Sequence, residues 1–475
     1  MNKNFKISML IGLIFAVCMY NNPAGITFPI MVAVAVIALA GLTVGCKLKF
    51  CFTDVFYATA CIVLGISIIF TQDMMFHIFT KTLILTLMVF YLIRKFYGVK
   101  NVGIYRGVMY IMCFFAGMIA NIGAPFMELD VEKGEAKKEK RASNRNLILL
   151  GILIAIPILI IVLSLLTSAD VVFRRVLLNL FDSFDDIRNI CKAITYFFIG
   201  FFACYSMAKT AYDKQYKLNL GSITKYNPIV AITVSITLSF VYIVFCVIQI
   251  VTLFGKGTYF LPQGYTYSAY AREGFYQLVV VAIINMMIMF ICKVLFKKSK
   301  VLVGTLTIIS ACTFILIASS AYRLLMYIDM YHLTMARIFG IFIIIALALY
   351  MVGLTISMYI DRFPVFEYIL AMTTLVYMGM VLIRPDVLIA KENVKYIEEK
   401  QDVRYLIKEL SYDAAPYLVN IEGYDEILEN YYEDILEECE TKDIRKFNIS
   451  RYNAYKTAKK YLGDYDKDSD FACNK

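Results

Sequence analysis

A chain of 475 residues that is 60% hydrophobic and 18% charged, with a mean hydropathy of +0.69, is too apolar for a soluble globular protein. Its net charge of +10 is uneven: residues 384–475 carry 21 acidic and 15 basic residues, so the positive excess lies upstream, in short loops between apolar runs. That distribution suits loops that orient membrane spans and gives no reason to expect a nucleic-acid partner.

Apolar segments fall near 5–20, 26–44, 52–70, 76–93, 108–126, 147–166, 193–208, 229–253, 275–296, 301–321, 338–359 and 365–383. Lengths near 20 residues match the hydrocarbon thickness of a bilayer, and backbone groups in lipid must pair internally. The expected fold is therefore an all-α, polytopic membrane bundle of 11–12 spans. Residues 1–127 hold the first membrane segments, 128–146 a charged cytoplasmic linker, 147–383 a second bundle, and 384–475 a small helical soluble domain. The first stretch resembles a signal peptide, with Lys3 and Lys6 before an apolar run, but no small-residue cleavage site follows it. An uncleaved first span is expected.

With 128–146 in the cytoplasm, the inner connections of the second half hold about fourteen Lys and Arg against about eight outside, which satisfies the positive-inside rule and places the tail outside. The first half obeys the same rule only if one early segment fails to cross. The fifth, with Gly117, Gly123 and Pro125, is the first candidate; the fourth, interrupted by Lys81, is the second. After Asp170, the apolar residues from Val172 to Phe184 recur at helical spacing, as in a helix lying in the interface plane, with Ser168 or Asp170 as its N-cap. Gly41–Gly45 forms one GxxxG, which permits close helix contact.

The polar residues with most chemical interest stand at span mouths. Tyr270, Arg272 and Glu273 precede one span, and Arg323, Asp329, Tyr331, Thr334 and Arg337 fall in the hairpin connection Ala321–Gly340. A continuous helix would align Arg323, Thr334 and Arg337 on one stripe; a turn near Tyr331–His332 would break it. Two readings stay open. Guanidinium groups grip carboxylate and phosphate, so the cluster would line a site for a small solute or a lipid headgroup. Alternatively, these charges pair with one another and with headgroups, and simply close the bundle.

The 12 cysteines show no CxxC and no zinc-type Cys/His spacing, and His77 and His332 are the two histidines, so no metal and no cofactor are expected. Cys439 and Cys473, in the tail, would pair only in an oxidising compartment. There is no GxxxxGK[ST], HExxH or GxSxG.

Several stretches resemble a family when taken together. They are SAD-x-x-F at Ser168–Phe173, the run from Pro262 to Phe275, the Tyr327–Arg337 segment, RPDVLIAKENV at 384–394, Leu410–Leu418 and Phe447–Arg451. In this order they resemble the bacterial membrane proteins of the domain of unknown function numbered four-one-seven-three, with a related family numbered four-one-five-three. The resemblance covers about Leu147–Leu462 and implies an integral membrane protein with a helical tail, but no reaction. His332 stands where that family would have the glycine of a Tyr-Gly-Leu-Thr run.

The expected function is a non-enzymatic cell-envelope protein in the bacterial cytoplasmic membrane. It would either move a small solute or hold an envelope protein partner through 384–475. A membrane-embedded transferase for a phosphate-bearing substrate, with Asp329 or Glu273 as base, is one alternative. A sensor relaying through 128–146 is the other.

Overall fold

The computed structural model describes residues 3–22, 24–99, 101–125, 162, 166, 168–170, 172–173, 185–213, 225–254, 267–397, 400–440 and 443–472. The linker 128–146 and nearly all of the sixth apolar segment lie outside these residues, as does Cys473. Among the described residues eleven α-helices precede the tail: α1 (Lys3–Met19), α2 (Thr27–Gly45), α3 (Phe52–Ser67), α4 (Met74–Phe96), α5 (Ile104–Ala120), α6 (Asp185–Asp213), α7 (Ile229–Phe254), α8 (Tyr267–Leu295), α9 (Lys300–Tyr331), α10 (Met335–Tyr359) and α11 (Val365–Ile383). The tail adds α12 (Pro385–Asn393), α13 (Lys400–Lys408), α14 (Ala415–Leu418), α15 (Asp425–Cys439) and α16 (Ile449–Ala472).

Among the described residues eight helices are long and apolar enough to cross a bilayer: α2, α3 with the turn after it, α4, and α7 to α11. The number falls below the 11–12 expected: α1 and α5 are short, the side chains at the start of α6 are not described, and nearly all of the sixth segment lies outside the described residues. Where the chain predicts an N-cap after the sixth segment, Asp170 Oδ1 accepts from Val172 N–H at 2.7 Å and Phe173 N–H at 3.2 Å.

Hydrogen bonds fix which connections share an end of the bundle. The loops after α1, α3 and α9 all touch the tail, at Asn22, Thr71 and Leu333, and define the domain end. The loops after α2, α8 and α10 lie at the far end, where Lys95 of α4 bonds Lys49 O and Lys298 pairs with Asp361 at 2.9 Å. Lys95 also meets Asp54 at 2.5 Å, and Arg94 meets Glu367 at 3.1 Å, so buried charges there are paired.

Helix α5 begins and ends at the far end. Phe366 N–H donates to Val102 O just before α5, at 3.2 Å. Phe114 packs against Tyr97, with ring centroids 6.1 Å apart, and Asn121, just after α5, donates to Thr210 Oγ1 at 3.0 Å. Tyr97 and Thr210 are themselves joined, through Tyr97 O–H to Thr210 O at 3.0 Å. With both termini at one end, α5 lies across the bundle and does not span it. Between the two early segments that the charge pattern singles out, the geometry selects the fifth.

Helices α1 and α6 run antiparallel in close contact: a Cβ on Gly12 would lie 2.9 Å from Phe197 O, and one on Gly200 would lie 2.6 Å from Phe15 Cβ. In contrast, a Cβ on Gly41 or Gly45 would meet nothing within 4 Å among the described residues, so the GxxxG pair makes no close packing with them. Helix α11 joins the two membrane parts: Phe366 and Leu370 enter the core of the early helices, while Val365 packs with α7–α10.

The tail does not stand apart from the membrane helices. Its core, formed by Ile389, Leu406, Leu428, Tyr432 and Ile435 among others, includes Ile338 of α10, with Leu333, Met335 and Phe342 at its margin. Burying these side chains, at about 1.5–3 kcal/mol each, fastens the domain to the bundle.

Candidate functional site

The described members of the predicted polar cluster divide between α9 (Arg323, Asp329, Tyr331), the turn after it (Thr334) and α10 (Arg337). Tyr270, Arg272 and Glu273 fall in the first turns of α8, and their side chains lie outside the described residues. Arg323 is buried in α9, where Arg323 Nη2–H donates to Gln249 Oε1 at 3.3 Å; the same oxygen accepts from Ser319 Oγ at 2.6 Å. Gly274 of α8 leaves room for the guanidinium, since a Cβ there would come within 1.8 Å of Arg323 Nη1. Arg323 thus ties α7, α8 and α9 together.

Helix α9 ends at Tyr331, so the continuous stripe from Arg323 to Arg337 does not form. His332 takes φ +62° and ψ −171°, a region that glycine alone adopts easily, which accounts for the glycine expected at this point. Its ring stacks on Tyr396 of the tail at 4.2 Å, and Asn393 clamps the hairpin by donating to Leu333 O at 2.8 Å and accepting from Leu333 N–H at 3.2 Å. Arg337 donates to Tyr331 O and His332 O, and its guanidinium lies 4.5 Å from the centre of the Tyr327 ring. It caps the carbonyl end of α9, where a cation is favoured. Asp329 and Tyr331 are exposed, and Thr334 precedes α10 without a side-chain capping bond.

A different site forms where three stretches of the tail converge: 384–394, 410–418 and 447–451. Arg384 adopts the left-handed conformation (φ +54°), turning the chain abruptly from α11 into α12, which starts at Pro385. This turn directs Asp386 inward, on the face of α12 that also buries Ile389 and Ala390. Ser411 Oγ donates to Asp386 Oδ2 at 2.5 Å. Asp413, also buried, lies beside the Thr71 side chain and the Gln72 backbone of the loop between α3 and α4, which favour its charged form. Burial pushes the Asp413 carboxyl up to about 7; nearby Arg384 opposes the rise and Asp386 adds to it. Burial likewise lifts Asp386 to about 6, against its bond from Ser411.

Asn448 completes the joint. Its Nδ2 lies 3.1 Å from Ala24 O, 3.1 Å from Ile68 O and 3.2 Å from Thr71 O, so it donates into two membrane connections. Its Oδ1 meanwhile accepts from Ser450 N–H and Arg451 N–H at the start of α16. Asn22 adds a bond to Arg445 O at 2.6 Å.

Against this joint opens a cleft of about 850 Å³. Asp413 and Ser450 lie in its wall, with Arg384, Asn420, Lys456 and Lys460 around them. Asp413 Oδ1 and Ser450 Oγ are buried with no hydrogen-bond partner among the described residues. Such orphaned oxygens are costly unless a ligand or water meets them. Among the described residues no three His, Cys, Asp or Glu side chains converge to hold a metal ion.

These residues carry a sequence signal that span-mouth reasoning passes over. Asp386 stands beside Pro385 on an otherwise apolar helix face, and Asp413 precedes two buried alanines. The profile of the Domain of unknown function (DUF4153) matches residues 58–421. This chain belongs to that family. The match starts earlier than Leu147, so the family's pattern takes in the early membrane helices as well as the acidic pair. No curated protein and no solved structure matches the chain.

Proposed function

We propose that this member of the DUF4153 family is a non-enzymatic protein of the bacterial cytoplasmic membrane. In this reading its C-terminal domain sits on the extracytoplasmic face as a solute-receiving cap. One observation carries it: Asp413 lines the cleft and also lies against the loop between α3 and α4, so an occupant of the cleft would sit beside a membrane connection. The sidedness follows from charge. Lys47, Lys49, Arg94, Lys95, Lys297, Lys298, Lys300 and Arg362 gather at the far end, whereas residues 20–26 and 71–73 at the domain end hold no Lys or Arg. By the positive-inside rule the far end is cytoplasmic.

A cap that shares its core with α10 favours solute handling over the holding of a separate envelope partner, because its apolar side chains are already engaged with the bundle. A transferase is the second reading, favoured by the Asp386–Asp413 pair beside Arg384 and not by the exposed Asp329. It expects Asp413→Asn to abolish turnover at normal membrane levels.

The test is protease treatment of intact spheroplasts carrying a C-terminal tag, with a cytoplasmic protein as lysis control. Cleavage of the tag is the expected result. Protection that ends only on lysis would overturn the sidedness and with it the cap.

A further inference from the structure

The cleft has groups that docking leaves unused. Ser450, Asn453, Thr457 and Lys460 follow at spacings of three, four and three along α16 and so share the face that lines it, with Lys456 beside them. The side chains of Lys456, Lys460, Asn420 and Asn453 make no hydrogen bond or ion pair among the described residues. Ser450, a residue of the cleft wall, is only 2% exposed, and its hydroxyl is buried with no partner among the described residues. Arg384 also lines the cleft, and its Nε is buried without a hydrogen-bond partner among the described residues.

We propose that the cleft binds a small anion carrying a phosphate or carboxylate group. Arg384, Lys456 and Lys460 supply charge, and Ser450 and Asn453 supply hydrogen-bond donors. The three cations outnumber the two acids in the wall, Asp413 and Asp425. Asp425 lies in the first turn of α15, where the positive end of the helix dipole offsets its charge. Asp413 is shielded by burial, which holds its proton up to about 7 and leaves an O–H to offer an anion. Fork-shaped guanidinium and flexible ammonium groups together suit a tetrahedral or planar oxyanion.

The proposal rests on the reading of the domain as a solute-receiving cap, and its anion has two sources: a free solute, or the headgroup of a lipid. The chain contains no tryptophan, so Tyr417→Trp at the rim of the cleft gives a single fluorescent reporter in the full-length protein. The reporter protein is placed in nanodiscs of phosphatidylcholine and titrated with inorganic phosphate and acetate. It is then compared in discs containing one-third phosphatidylglycerol, a share chosen to be about that of an anionic leaflet.

A saturable change with added anion in neutral discs supports binding of a free solute. A change seen only in the anionic discs assigns the anion to lipid. In either case the Lys456→Gln/Lys460→Gln variant, altered at two exposed positions, should weaken the response by about tenfold or more. No saturable change in either disc, or an unchanged response in that variant, overturns the proposal. Tag accessibility reads the sidedness separately, so loss of the anion site would leave that result standing.

Discussion

Asn448 is the residue whose loss tests the docking of the domain most directly. In Asn448→Ala the N-cap of α16 disappears, at about 1 kcal/mol. Ile68 O loses a buried donor and Ala24 O a partly buried one, at about 1–3 kcal/mol together. Thr71 O keeps its contact with His77 Nε2 at 3.0 Å, so it adds little. The expected destabilisation is about 2–4 kcal/mol. Asn448→Ser keeps a capping oxygen but cannot reach the membrane carbonyls, so it should lose about 1 kcal/mol less. Hydrogen exchange of the full-length protein in nanodiscs reads both. Amides at 444–455 and 68–73 should open more readily in the alanine variant, with serine between it and the parent. Equal protection in all three proteins would refute the idea that this side chain fastens the domain to the membrane loops.

The acidic pair makes docking depend on pH. Burial raises Asp386 to about 6 and Asp413 to about 7 from an ordinary 3.8, so the folded protein holds protons that the unfolded chain releases. Stability is then greatest in acid and is lost as the pH rises from about 4 through about 7. Thermal unfolding should give a higher midpoint at pH 5 than at pH 8, and Asp413→Asn should flatten the difference; equal midpoints for the parent would contradict the burial argument. At position 332, His332→Gly should be more stable than His332→Ala by about 1–3 kcal/mol, since alanine keeps the positive-φ strain and loses the stack on Tyr396. An alanine variant as stable as the glycine one would remove strain as the reason for glycine in this turn. Gly274→Ala should lower the unfolding midpoint by clashing with Arg323, and the same substitution in an Arg323→Ala background should cost less. Strictly additive losses would mean that the two residues do not share the space.

Length and hydropathy by themselves determined that this is a helical membrane protein, because a backbone in lipid has no partner except its own helix. Charge likewise pointed to one early segment that fails to cross, and the Phe366–Val102 and Asn121–Thr210 bonds identify it as α5. The hairpin residues were less legible. Arg323 and Arg337 look alike in the sequence, yet one pins three helices and the other caps α9, because a turn at His332 places them on different helices. The sequence showed the stretches that form the joint and not that they meet. Asn22 and Thr71 stand hundreds of positions from Arg384, Asp413 and Asn448, and only the seating of the tail on the bundle brings them together. Whether a carboxyl is a solvated charge or a half-protonated group beside a cleft depends on the water removed around it, which is a property of packing and not of residue order.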